Sequence, residues 1–361
     1  MKITIHPFEL RKRHALTISR GTIPSSQNLC LMVENEGIVG WGEMAPGSLT
    51  ASPEALSKAQ TAILNWAGKL QGVSAWDRQR IESLVDFREF PGALAALDMA
   101  LYDWLGKRLD QPLWKLLGLD LQRIPRTSLT IGMNPPPRVR EITREIVSRL
   151  NPSILKVKLG SPEGIEADRA MFAAAQESAP SHLKWRVDAN GGWNLASARE
   201  MIPWLAGRGV ELVEQPLPPG QEASLAQLST GSQVPLFLDE SVATARDIPP
   251  VAKFIQGINL KLMKCGGISE ALRIIHTARA HQLQVMIGCM SESSLAITAG
   301  AQLSPLADQA DLDSHLNLQQ DPFQGATFVD GRVMPSQRSG LGTFPNWRAT
   351  DAAPSPNASG A

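Results

Sequence analysis

Charge of one sign is what this sequence most lacks: 35 lysines and arginines balance 35 aspartates and glutamates, leaving no net charge. Without a broad positive field nothing draws in nucleic acid or an anionic membrane, so partners should be small or local. Long apolar runs are missing too. The best candidate, Ala93 to Leu105, is broken by Asp98 and Asp103, well short of the roughly 20 residues that a bilayer span requires. The opening residues MKITIHPFELRKR show no apolar export core and no small-residue cleavage site. Three cysteines, Cys30, Cys265 and Cys289, are odd in number and far apart, which argues against a disulfide framework and for a reducing compartment. The six histidines form no HExxH pair, and His276 and His281 are wrongly spaced to share a helix face. A cytoplasmic protein acting on a small molecule is the expectation, with oligomeric state left open.

The sequence that remains changes rhythm twice. From Lys2 to about Gly42 the pattern is strand-like, with Asn35-Glu36-Gly37 turning between the last two strands. From Pro53 to Leu117 it is helical, opened by Ser52 as N-cap and Pro53 at the first helical position. This α+β segment gives way at residue 126 to short apolar runs alternating with helical stretches: TSLTIGM, ILKVKL, LKWRVDAN, VELVEQP, PLFLDES, INLKLMK, VMIGCM and ADLDSH. Helix-length crossovers imply parallel strands, and eight of them favour a (β/α)8-type barrel over an open doubly wound sheet. The domains read as 1–125, 126–325 and a closing segment 326–361, whose tail RATDAAPSPNASGA after Trp347 is small, polar and disordered in composition.

In such a barrel the chemistry gathers where strands end. There the runs carry Lys156 and Lys158; Asp188 with Asn190; Glu214; Asp239 and Glu240; Lys261 and Lys264; Asp311 and Asp313. Singly, each reads as a solvated rim. Together, Asp188, Glu214 and Asp239 on consecutive strands place three negative charges at one side of the mouth, which requires a cation. An all-carboxylate set suits Mg²⁺, with Mn²⁺ the nearest substitute. Lys158 and Lys264 flank it from strands almost opposite in an eight-strand ring. Lys156, two residues before Lys158, shares its face and is expected to depress its neighbour's pKa from near 10.4 toward about 7 to 8, where a lysine can act as a base; pairing of Lys156 with nearby carboxylates is compatible with this. A cation that stabilises an enediolate, with a base on each face, implies racemisation or epimerisation α to a carboxylate, or β-elimination where a leaving group exists.

These motifs, LKVKLG, VDANGGW, VEQPL, LDES and KLMKCGG, resemble the muconate lactonizing enzyme subgroup of the enolase superfamily across nearly the whole chain. The resemblance implies a modified (β/α)7β TIM barrel with an N-terminal α+β capping domain, ending in WGE, that closes over the mouth. IGCMSES after the seventh strand and ADLDSH on the eighth look like the dipeptide epimerases. Asp311 and Asp313, at i and i+2, would then clamp a dipeptide's free ammonium. In LTISRGTIPSSQN, Arg20 falls where L-Ala-D/L-Glu epimerases carry an arginine for the glutamate side chain, a partner suited to a guanidinium fork. The resemblance implies an L-Ala-D/L-Glu epimerase of cell-wall peptide turnover, with Lys156 near the substrate and Asn190, Glu240 and Lys261 supporting the metal and bases. N-succinylamino acid racemase, o-succinylbenzoate synthase, a muconate-type cycloisomerase and a dipeptide epimerase of different side-chain specificity are the competing enzymes, and the first three do not account for D-x-D; a silent ligand-binding barrel is disfavoured by the intact lysines and acids.

Overall fold

The computed structural model describes residues 1–46, 53–85 and 90–346; Ser52 and the tail after Trp347, named above, lie outside them. β1 (Lys2–Ile18), β2 (Gly21–Asn35) and β3 (Ile38–Met44) form an antiparallel sheet. Glu36 and Gly37, at φ 52° and 73°, make the tight turn between β2 and β3. Helices α1 (Pro53–Lys69), α2 (Arg78–Leu84) and α3 (Pro91–Arg108) complete the cap. In β3 the alternation of Gly40-Trp41-Gly42-Glu43 divides the faces. A Cβ at Gly40 or Gly42 would stand 2.0 Å from Ala100 O or 1.9 Å from Ala96 O, so α3 lies directly on the glycine face. The apolar run around Ala93–Leu105 is therefore α3, buried between sheet and barrel, and its interrupting acids are paired: Asp98 with Arg78, Asp103 with Lys107 at 2.5 Å.

After α4 (Leu113–Leu116), all eight expected runs become strands: β4 (Leu129–Ile131), β5 (Ile154–Lys158), β6 (Lys184–Asp188), β7 (Val210–Glu214), β8 (Leu236–Leu238), β9 (Gly257–Lys261), β10 (Gln284–Gly288) and β11 (Gln309–Asp311). They pair in parallel and in chain order, and a Thr127–Ala310 bridge joins the two ends into a barrel. Helical crossovers α5 (Pro136–Leu150), α6 (Ile165–Glu177), α7 (Leu195–Ala206), α8 (Ala226–Ser229), α9 (Ile248–Val251), α10 (Leu262–Cys265), α11 (Ile268–Ala280) and α12 (Ser294–Leu303) surround it. With helices outside and packed side chains inside, β5 is buried along its whole length, which is why its lysines need explanation. Two small antiparallel pairs, β12 (Phe323–Gln324) with β15 (Phe344–Pro345) and β13 (Thr327–Val329) with β14 (Arg332–Met334), follow. Among the described residues no helix is long and apolar enough to cross a membrane.

The cap is fastened to the barrel through the other face of β3. Glu43 accepts from Ser293 N (3.0 Å), Ser293 Oγ (2.5 Å), Ala296 N (3.2 Å) and Asn28 Nδ2 (2.6 Å). A fully buried carboxylate thus caps the amino end of α12, where the helix dipole favours negative charge.

Candidate active site

Asp188 and Glu214 are register partners on adjacent strands, and Asp239 follows β8 directly. One carboxylate oxygen of each lies within 4.8 Å of those of the others, and all three residues are buried. The electrostatics are those of an overcharged pocket. Burial and Asp188 push Glu214 up to about 8 in spite of Lys156. For Asp188 and Asp239 the burial penalty is outweighed by Lys158 and Lys156, and by Lys261 and Lys264, which hold both below the usual carboxylate range. Three converging hard oxygen donors with no nitrogen or sulfur among them fit Mg²⁺.

Strand parity decides which amines face the interior. On β5, Lys156 and Lys158 share the inner face. Lys158 Nζ is 2.5 Å from Asp188 Oδ2 and opens on the central cavity. Lys156 lies one layer deeper, fully buried, bonded to Asp311 and 3.3 Å from Glu214 Oε2. Burial opposes its charge, yet Asp311, Glu214 and Asp188 together hold its pKa well above the ordinary value. It is therefore a fixed cation beneath the floor, not among the cavity-lining side chains.

On β9 the inner face carries Asn259 and Lys261. Asn259 Nδ2 donates to Glu214 Oε1 (2.7 Å), and Lys261 Nζ reaches Asp239 Oδ2 (2.6 Å) while lining the cavity. Lys264, three residues on in α10, turns away: its ammonium is spent on the backbone carbonyls of Asp239, Val242 (3.1 Å) and Asn259 (3.0 Å) and on Asp239 Oδ1 (2.5 Å). With four acceptors for three protons it has no donor left for the cavity and does not line it. The structure thus puts Lys261, not Lys264, across from Lys158, four strands away in the ring of eight.

On the side away from the triad, Asp311 ends β11, with Oδ1 accepting from Ser128 Oγ at 2.6 Å. Asp313 does not continue the strand; its backbone is already helical (φ −109°, ψ −4°), and its Oδ2 accepts from Thr130 N at 2.5 Å. The D-x-D pair is therefore not an i, i+2 strand pair, although both acids line the cavity. Against burial, Lys156 and Lys158 hold Asp311 near 2, whereas burial and Asp311 push Asp313 up to about 6.

The lid comes from the β1–β2 hairpin, where Arg20 Nη2 bonds Glu240 Oε1 at 2.7 Å and Arg20 Nη1 donates to Asn190 O at 2.8 Å. Asn190, in the left-handed region at φ 44°, donates from its backbone N to Asp188 Oδ1 (2.8 Å) and from Nδ2 to Asp188 Oδ2 and Glu240 Oε1 (both 3.2 Å). Arg20, Glu240 and Asn190 so form one chain from lid to metal ligand. Leu16, Ile18, Ile23, Leu56 and Met290 give the cavity, about 410 Å³, apolar walls. Three contributors escaped the sequence reading. Gln215 accepts from Asp239 N (3.0 Å) and Ser241 N (3.3 Å), steadying the third ligand; Asn259 was legible from its parity with Lys261; Lys12, from the cap, is taken up below.

A capped parallel barrel with a carboxylate centre between two inward amines defines an enolase-type proton-transfer enzyme. Residues 2–118 match the mandelate racemase/muconate lactonizing enzyme N-terminal domain and residues 138–349 the enolase C-terminal domain-like family, so the chain belongs to the mandelate racemase/muconate lactonizing enzyme family. It is 48% identical over 343 residues to a hydrophobic dipeptide epimerase of Roseobacter litoralis, and 45% identical over 349 residues to a protein of the same description from a Flavobacteria bacterium; each alignment covers 95% of this chain and 98% of the relative. The dipeptide epimerase of Enterococcus faecalis, solved with Mg and L-Leu-L-Tyr, superposes with a TM-score of 0.87 at 32% identity, covering 95% of this chain and 98% of that one.

Proposed function

We propose that the chain inverts the α-carbon of a dipeptide's C-terminal residue by a two-base 1,1-proton transfer between Lys158 and Lys261. It is a metal-dependent isomerase, a dipeptide epimerase, and the single observation that carries the base assignment is the parity of β5 and β9, which aims these two amines into one cavity from opposite sides of the acid triad. Asp188, Glu214 and Asp239 hold Mg²⁺, which when bound supplies the positive charge that makes a carboxylate's α-proton removable. The substrate's carboxylate end faces the triad and its ammonium faces Asp311 and Asp313, so the α-carbon lies between the lysines. One amine takes the proton as a free base while the other, as an ammonium, delivers one to the opposite face; the next turnover starts with the roles exchanged. Lys264 holds Asp239 and the carbonyls around it, a positioning role. The cap excludes water from the mouth.

The apolar cap residues Leu16, Ile18, Ile23 and Leu56 favour an apolar side chain at the inverted position, in keeping with the hydrophobic dipeptide epimerases to which the chain is similar. L-Ala-D/L-Glu is the second reading, favoured by Arg20 at the mouth; its guanidinium is engaged by Glu240, so a glutamate substrate would have to compete with that pair. A role in cell-wall peptide turnover, and a cytoplasmic setting, go with that second reading. The test is α-deuterium incorporation in heavy water with L-Ala-L-Leu, L-Ala-L-Glu and N-succinyl amino acids. General acid–base catalysis contributes about 10²–10⁴-fold, so Lys158→Ala and Lys261→Ala should each lose epimerisation by that order while each still exchanges one enantiomer. Normal epimerisation by Lys261→Ala would refute the scheme.

A further inference from the structure

Arg11-Lys12-Arg13 reads as a solvated charge run, yet only its outer members are exposed; Lys12 is 7% exposed and shares its strand face with Phe8 and Leu10. Here the β1–β2 register breaks, between Arg11 and Leu16. β1 instead pairs with the barrel: Lys12 bridges to Leu318, Gln319 N donates to Arg11 O (2.9 Å), and Asn317 holds both His14 N (3.0 Å) and His14 O (2.9 Å). An irregularity of this kind re-aims a side chain. Lys12 points into the cavity, its Nζ donating to Ser291 Oγ at 2.8 Å. Ser291 is itself fixed by Asn28 Nδ2 on its carbonyl (2.8 Å).

A buried ammonium whose protons are met by one hydroxyl is expensive, because charge is tolerated inside only with compensating partners. Among the described residues no carboxylate lies within 4.0 Å of Lys12 Nζ. Position tells what the missing acceptor belongs to. Ser291 follows β10, next to β11 with its aspartates and away from the triad on β6, β7 and β8. That is the ammonium end of the substrate, not the end where its carboxylate reacts.

We infer that Lys12 and Ser291 form a subsite for the side chain of the substrate's N-terminal residue, one that selects a carboxylate there and excludes a cation. This rests on the dipeptide reading. A carboxylate-bearing side chain satisfies the open donors of Lys12, whereas a lysine or arginine side chain adds a second buried cation beside it. Burial, the dominant influence on Lys12, lowers its pKa, and Cys289 and Asp313 oppose that; an acidic substrate group adds to their side.

The experiment compares kcat/KM for L-Asp-L-Leu, L-Leu-L-Leu and L-Lys-L-Leu, by α-deuterium incorporation with saturating Mg²⁺, in the wild type and in Lys12→Met, Lys12→Gln and Lys12→Arg. The wild type should favour L-Asp-L-Leu over L-Lys-L-Leu. That ratio should fall about tenfold or more in Lys12→Met, chiefly through KM, and recover in Lys12→Arg; Lys12→Gln serves if the Met variant does not fold. An unmoved ratio, an equal loss on all three peptides, or a wild type that prefers the lysyl peptide overturns the subsite. No exchange with any dipeptide in the wild type would instead sink the epimerase reading, and this inference with it.

Discussion

Lys156→Met tests the electrostatic account of the barrel floor. The ammonium is fully buried, bonded to Asp311, 3.3 Å from Glu214 and 3.8 Å from Asp188. Methionine keeps the volume and removes the charge, leaving the acids short of a cation where water cannot replace it. Truncating one member of a buried ionic network costs about 3–5 kcal/mol. The cost does not multiply threefold, since each acid keeps another donor: Lys158 at 2.5 Å on Asp188, Asn259 at 2.7 Å on Glu214 and Ser128 at 2.6 Å on Asp311. A loss of that size is a large share of the roughly 5–15 kcal/mol that holds a folded protein together. Urea unfolding followed by tryptophan fluorescence, in EDTA and again with Mg²⁺, measures it. Lys156→Met combined with Asp311→Asn should recover at least half, because the second substitution removes the acid that the lysine chiefly neutralises, giving a coupling well above 1 kcal/mol. A single variant within about 1 kcal/mol of the wild type, or a double variant showing simple additivity, would refute the reasoning.

Two further outcomes follow from the same charges. Mg²⁺ at a hundred times its Kd should raise wild-type unfolding free energy by about 2.7 kcal/mol, while Asp239→Asn and Glu214→Gln should show little of that rise; equal stabilisation of all three would mean the ion sits elsewhere. Glu292, buried behind Ser291 with Oε1 accepting from Met290 N at 2.7 Å, is pushed up to about 8, from an ordinary 4.5, chiefly by burial. The folded state therefore keeps a proton that the unfolded chain has lost, so this contribution is complete below about pH 4.5 and drains away as pH rises through 8. At about 1.36 kcal/mol per pH unit the ceiling is roughly 5 kcal/mol. Glu292→Gln should flatten the decline in unfolding free energy between about pH 4.5 and 8 relative to wild type, and parallel curves would contradict it.

The barrel was legible because parallel strands buried on both faces read as apolar runs at crossover spacing, and their ends fall where the chain turns polar. The acid triad came with them, since Asp188, Glu214 and Asp239 each stand at or just past a strand end. What the sequence concealed lay where regular periodicity stops. β9 ends at Lys261 and a helical turn begins at Leu262, so Lys261 and Lys264, both candidates in KLMK, obey different geometries; counting parity back to Asn259 separates them. β11 ends at Asp311, so Asp313 no longer follows the strand. Lys12 was hidden by its neighbours: three basic residues in a row look solvated unless the two-residue period is carried through them from Phe8.

The division between cap and barrel explains why chemistry and specificity were unequally visible. The barrel's charges satisfy one another in layers, Lys156 under the acids and Lys264 behind Asp239, so their residue types are dictated by the pocket's own electrostatics whatever the substrate. Three charged residues of the cap reach across to the barrel instead: Glu43 to Ser293 and Ala296, Lys12 to Ser291, Arg20 to Glu240 and Asn190. Among the described residues, the side-chain hydrogen bond that fixes Lys12 comes from outside the β1–β2 hairpin. The direction of Lys12 exists only once the hairpin has docked, which is why a cap residue that reaches into the barrel's cavity is one a linear reading places least well.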